Sequence, residues 1–282
     1  MKSKRPYTHI LKNLLHEQAE EIVPVLEPGL QVIQVLDIEM PELRSIPLEG
    51  SPSEMDKGLV GLLMPGAEVV KAYKTEWIEH SGKFERAYRV KEEGSDEPTV
   101  LMIEFQMERD DKKLPRRLLA NFATVMRKVK EDFPEDDHVV QYESGNRGTV
   151  IAYDVYPEVL CPFPSAIPEH IRDEIGGRVM MEFKFKRIQL WEMDAREVLN
   201  THVSAAYFLL PAMKNADADL LGLAINELAQ RFQGNDAELG RHLTGLNMML
   251  QMSETMTDEQ KSAVQEHLRP FAHLVKDDPL DE

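Results

Sequence analysis

The chain has 282 residues, 42% of them hydrophobic, enough for one sizeable core, and a formal net charge of −17. That charge excludes a protein whose whole surface coats nucleic acid, and a single cysteine, Cys161, excludes an intramolecular disulfide. The longest uncharged apolar run, VSAAYFLLPAM, is about half a membrane span and contains Pro211, and the N-terminal MKSKRPYTHILKNLLHEQAEE has no apolar signal core, so we expect a cytoplasmic protein with no membrane partner and no leader.

Residues 7–23 place Ile10, Leu11, Leu14, Leu15, Ile22 and Val23 at helical spacing, with Pro24 and the Pro28-Gly29 turn predicted to end that helix. LQVIQVLDIEM then alternates as a half-buried strand does. SPSEMDKGLVGLL reads equally as a short helix or a covered loop. VVKAYKTEWIEH, KFERAYRVK and VLMIEFQM read as strands, the last two joined by the turn-rich KEEGSDEPT. A helix follows, in which Asp110 or Asp111 can cap, Pro115 sits early, and Leu118, Leu119, Phe122, Val125, Met126 and Val129 form one stripe.

HVVQY and TVIAYDV are predicted strands flanking ESGNRG. The Pro-rich YPEVLCPFPSAIPEH leads to a short helix predicted near residues 168–175, and GRVMMEFKFKRIQLWEM reads as one bent strand or two. After Met193, Asp194 with Glu197 and Thr257 with Gln260 stand at capping-box spacing, and residues 194–275 read as four or five helices. The order of elements predicts an α/β or α+β fold over residues 1–193 and an all-helical C-terminal region over 194–282. VSAAYFLLPAM is apolar enough to pack back on the first part.

Charge is distributed unevenly. Lys112, Lys113, Arg116, Arg117, Arg127, Lys128 and Lys130 fall in a stretch with no acid, so the remainder of the chain carries about −24. This basic helix is either a solvated amphipathic face or a contact for DNA phosphates.

The strand VLMIEFQM carries the chemistry. Strand side chains alternate, so Val100, Met102, Glu104 and Gln106 share one face and Leu101, Ile103, Phe105 and Met107 the other. A carboxylate and an amide on one face of an otherwise apolar strand need partners, because a buried unpaired charge is costly. A hairpin centred on Gly94-Ser95 sets Glu85 opposite Glu104, and two facing carboxylates hold either a proton or a cation between them. Mg²⁺ takes one or two carboxylates and leaves its other positions to water and phosphate oxygens; Mn²⁺ can substitute. Gln106, two residues on, is placed to orient a water for in-line attack, and Arg116 and Arg117 to hold the scissile backbone. The plain structural alternative makes Glu85 and Glu104 rim residues of a half-exposed sheet.

VVKAYKTEW, FERAYRVKEEG, VLMIEFQMERDDKKLPRRLLANFA and FKFKRIQLWEMDAREVL together resemble the Rpn family of recombination-promoting nucleases and putative transposases, a branch of the PD-(D/E)xK nuclease superfamily. The resemblance covers roughly residues 5 to 215 and is most specific in IEFQ followed by LPRRLL. It implies a restriction-endonuclease-like core with a mixed central sheet flanked by helices, Mg²⁺-dependent DNA cleavage and a role in DNA recombination. Glu104 and Gln106 match the family's Glu-x-Gln, Gln106 standing where other superfamily members have Lys, and Arg117 matches the Arg of the following helix. Two positions depart: Glu85 stands in place of the family's Asp, and Asn121 in place of a Tyr. The first predicts weakened cleavage. The rival reading keeps the nuclease fold without catalysis and uses the helical C-terminus to bind a protein partner or a second copy.

Other candidates carry less. Asp37 and Glu39 share a strand face, His9 and His16 lie too far apart on one helix to share a zinc ion, and Cys161 has no basic neighbour in sequence to activate it. The Met-rich NMMLQM is expected in the core, and the tail is expected to contribute no catalytic group.

Overall fold

The structure, a computed structural model, describes residues 11, 13–15, 17–36, 42–47, 73–78, 86–95, 98–106, 114–133, 138–140, 150–152, 155–164, 170–175 and 178–275. In chain order the elements are α1 (Ala19–Leu26), β1 (Leu30–Leu36), β2 (Glu42–Pro47), β3 (Tyr73–Ile78), β4 (Arg86–Glu92), β5 (Pro98–Phe105), α2 (Leu114–Asp132), β6 (His138–Val140) and β7 (Val150–Ala152). There follow β8 (Val155–Cys161), β9 (His170–Ile175), β10 (Arg178–Lys184), β11 (Lys186–Gln189), α3 (Ala195–Asn200), α4 (Ala218–Arg231), α5 (Asp236–Met252) and α6 (Asp258–Leu268). Segments Leu190–Glu192, Ser204–Ala212 and Arg269–Phe271 are 3₁₀ turns. No described helix is long and apolar enough to cross a membrane.

The chain forms two compact units, one of residues 39–83 and one of all the rest. In the smaller unit β2 and β3 pair antiparallel. The predicted helix or loop over residues 51–63, together with Asp37 and Glu39, lies outside the described residues.

The larger unit is built on a five-stranded mixed sheet of order β1-β4-β5-β8-β11. β1, β4 and β5 are antiparallel, and β8 and β11 add in parallel. Parallel pairing of β5 with β8 requires a crossover, which contains α2. The β4–β5 register runs from Lys91↔Pro98 to Arg86↔Ile103, the pairing that a turn at Gly94 predicts. Gly94 has φ +84°, a left-handed conformation that glycine adopts without a Cβ clash.

Each face of the sheet is covered. Leu101, Ile103 and Phe105, with Tyr88, Val90, Leu160 and Ile188, join one apolar core with the N-terminal helical residues and the tail. On the opposite face α2 packs over β5 and β8, burying Leu114, Leu118, Val125 and Val129. Phe122 of α2 meets Phe183 of β10 edge-on at 5.0 Å, which ties the β9–β10 hairpin to that layer.

Two sequence readings need correction. The first helix does not stop at Pro24; α1 runs through it to Leu26, where burial of Val23 and Leu26 holds the last turn although proline gives up one ladder hydrogen bond. The helix predicted near 168–175 is strand β9, whose His170, Ile171 and Arg172 pair with Lys184, Phe183 and Glu182 of β10. Ile171 and Ile175 stand four apart, a spacing that one helix face and one strand face both allow, and pairing with β10 decides for the strand.

Past residue 193 the helical tail continues the same core: Leu209, Leu210, Leu243, Leu246 and Met249 share one buried cluster with Leu14, Ile22, Leu101 and Phe105. VSAAYFLLPAM does pack back, fully buried from Ser204 to Ala212. Two of the tail's helices start at the caps predicted for them, the second with the full reciprocal pair. Asp194 accepts from the Arg196 N–H, and Thr257 and Gln260 form a reciprocal capping box.

Candidate functional site

Glu104 lies near the C-terminal end of β5, in the middle of the sheet, on the face that α2 covers. It is 1% exposed and Gln106, two residues on, is 4% exposed. A carboxylate so placed demands a counter-charge, and α2 provides it. Arg117 donates from Nε and Nη2 to Glu104 Oε1 at 3.0 and 2.7 Å, and its Nη2 also donates to Gln106 Oε1 at 2.9 Å. The acid, the amide and the guanidinium predicted to work together are thus one hydrogen-bonded group. Charge-assisted bonds of this length are the strong ones.

Asn121, one helical turn beyond Arg117, completes the group. Its Nδ2 lies 3.5 Å from Glu104 Oε2, and the side chain is 1% exposed. Sequence reasoning noted Asn121 only as a departure from an expected tyrosine. The i, i+4 spacing from Arg117 was the signal that it faces the same carboxylate.

Glu85 lies outside the described residues, as does the Arg116 side chain; the last described rung of the β4–β5 ladder is Arg86 with Ile103. Among the described residues no three His, Cys, Asp or Glu side chains gather in one place. The oxygens of Glu104 and Gln106 are hard donors of the kind Mg²⁺ takes, and one or two carboxylates with water suffice for that ion. Cys161 is buried on β8 and donates to the Val159 carbonyl, the position of a structural thiol.

The sheet carries a second ionisable cluster on its other face. Glu158 on β8 pairs in register with Ile103 and is 5% exposed. Lys186 Nζ is 3.8 Å from Glu158 Oε1 and also bonds Glu27, which follows α1, while Glu158 Oε2 has no hydrogen-bond partner among the described residues. Burial pushes the Glu158 carboxyl up to about 7, with Glu27 adding to the shift and Lys186 opposing it. Sequence reasoning missed this group because its three members come from distant segments.

In the tail, His242 is buried, stacks on Phe232 at 4.7 Å and shares a contact between its Nε2 and Gln18 Nε2 at 3.0 Å. Desolvation lowers its pKa to about 4, Glu238 opposing and Arg241 and Arg231 reinforcing. Met248 and Met249 are core residues, as NMMLQM predicts.

No protein-family model, no curated protein and no solved structure matches this chain.

Proposed function

We propose that the protein is a Mg²⁺-dependent DNA endonuclease with a restriction-endonuclease-like core, centred on Glu104 and Gln106. The observation that carries this reading is the buried acid-x-amide pair on the middle strand, bridged by one arginine from the helix that crosses behind it. A solely structural sheet gains nothing from burying a carboxylate there, since apolar side chains of similar volume serve packing as well or better.

Glu104 would hold the cation with Glu85, and Gln106 would contribute an oxygen or orient the attacking water. The bound cation supplies Lewis-acid polarisation of the phosphoryl oxygen and a more acidic water. Asn121 fixes the carboxylate from behind. Arg117 is 35% exposed against 1% for Glu104, so its guanidinium stands between the buried pair and solvent, where a substrate phosphate arrives. Arg116 adds a second cation to the same helix.

The rival is a nuclease-fold protein without catalysis that binds a partner, and one observation favours it: Arg117 already gives Glu104 the positive charge that a metal would. Incubation of supercoiled and single-stranded DNA with the full chain in Mg²⁺ or Mn²⁺ separates the two. Cleavage that Glu104→Ala abolishes supports the enzyme. A folded wild type inert on both substrates with both ions establishes the rival.

A further inference from the structure

We propose that Arg117 is a gate on the Glu104 centre: its guanidinium and a divalent cation take turns on the same two oxygens, and cation binding turns the guanidinium outward. The gate deepens the endonuclease reading above and rests on it. Arg117 Nη2 lies 2.7 Å from Glu104 Oε1 and 2.9 Å from Gln106 Oε1, so one nitrogen occupies the point from which both oxygens are reached. Mg²⁺ stands about 2 Å from its oxygens and carries a like charge. Guanidinium and cation cannot share that point. Arg117 Nε holds Oε1 as well, at 3.0 Å, so the guanidinium is displaced as a whole.

Unequal burial sets which partner moves. Glu104 and Gln106 are buried on the middle strand and its end, while the Arg117 side chain is one third exposed. The oxygens stay, and the guanidinium turns outward by rotation about its own side-chain bonds. Its helix stays too, because Leu114 and Leu118 on either side of Arg117 are buried under α2. Asn121 keeps Nδ2 3.5 Å from Glu104 Oε2, a contact that survives the exchange. The carboxylate keeps a counter-charge throughout, first from the arginine and then from the cation. Apparent affinity for the cation is lowered in proportion to the fraction of molecules with the arginine turned out. Charge-assisted bonds of this kind hold that fraction below about one tenth.

The test uses Mn²⁺ alone, with the full chain and no DNA. Electron paramagnetic resonance of unbound Mn²⁺ measures uptake, and the uptake that Glu104→Gln removes belongs to this centre. Arg117→Ala should tighten it about ten-fold or more. Arg117→Lys, which keeps the charge but not the fork, should fall between. Lys128→Gln, which removes a cation of the same helix paired with Asp132, should change nothing. In wild type, an arginine-specific dicarbonyl reagent read by mass spectrometry should label Arg117 slowly in EDTA and several-fold faster in Mn²⁺. Arg196, exposed on α3 and paired with Asp217, should label alike in both.

The gate is overturned if wild type, Arg117→Ala and Arg117→Lys take up Mn²⁺ equally or not at all, if Lys128→Gln matches Arg117→Ala, if Glu104→Gln removes no uptake, or if Mn²⁺ leaves the labelling of Arg117 unchanged. The labelling needs no variant, so it decides even where Arg117→Ala does not fold. Failure of the endonuclease reading looks different. Tightened uptake and faster labelling with no DNA cut leave the gate standing and sink the endonuclease; cleavage with neither sinks the gate alone.

Discussion

Arg117 places two N–H groups on one oxygen of Glu104, and one of them also serves Gln106. The two partners are unequally buried, and so are the consequences of losing either. Arg117→Ala strips the guanidinium from a carboxylate that cannot reach water and should cost about 3 kcal/mol or more. Glu104→Gln should cost less, because Arg117, one third exposed, can turn outward. Urea unfolding of the two variants gives the ranking; the reverse order would show that the carboxylate is hydrated in solution.

Glu158 should make the fold less stable as pH rises. Its carboxyl titrates near 7 when folded and near 4.5 when unfolded. Between those values the folded state keeps a proton that the unfolded state has released, so stability falls with rising pH through that window and is flat above it. The slope amounts to about 3 kcal/mol across the window, at about 1.4 kcal/mol per unit. Glu158→Gln should remove it and raise the midpoint of thermal unfolding at pH 8. An unchanged pH profile in that variant would mean that Lys186 keeps Glu158 ionised against burial and the Glu27 charge.

His242 should act in the opposite direction over much of the same range. The unfolded imidazole takes a proton below about 6.5 and the buried one only near 4, so stability falls as pH drops between them. The two slopes largely cancel in wild type. His242→Gln should therefore expose the Glu158 slope as a net loss of stability from pH 5 to 7, and Glu158→Gln should expose the histidine's as a net gain. Denaturant melts of each variant at pH 5, 6 and 7 would show it, and a steep wild-type profile would contradict the cancellation.

Gly245 tests whether tail and N-terminal helix share one core. A Cβ there would stand 2.5 Å from Leu14 Cδ1 and 3.4 Å from Phe208 Cβ. Gly245→Ala should destabilise by about 1 kcal/mol, overpacking outweighing the helical preference for alanine. In a Leu14→Ala background the same change should become stabilising by a similar amount, because the space has opened. Equal effects in both backgrounds would separate the tail from the first helix.

Cleavage, where present, should be slow, and Glu85→Asp should raise it. On the endonuclease reading the extra methylene of Glu85 would displace a ligand by about 1 Å, a distance to which metal-assisted phosphoryl transfer is sensitive. Initial rates with Mn²⁺ for wild type and Glu85→Asp make the comparison; a slower variant would show that the site is built for glutamate.

The hairpin was legible in the sequence because its cause is local. Gly94 fixes the turn, the turn fixes the register, and alternation then puts Glu104 and Gln106 on one face with Arg117 following on the next helix. Local signals also marked the caps at Asp194 and Thr257. What stayed hidden depends on chain segments far apart. Glu27, Glu158 and Lys186 meet only through the fold. The short strand β9 was misread because His170 to Ile175 has too few apolar residues to settle its period. The boundary at Met193 marks a change of composition, which the core ignores.

Ile103 and Glu104 are neighbours in sequence that belong to different layers, one in the core shared with the tail and the other under α2. Drift therefore has two separate targets on this strand. Substitutions at Leu101, Ile103 or Phe105 are purged because the molecule collapses, whatever its chemistry. Paired changes at Glu104 and Arg117 to apolar residues of matching size leave the other layer untouched, so this polar group can be lost while the scaffold is kept.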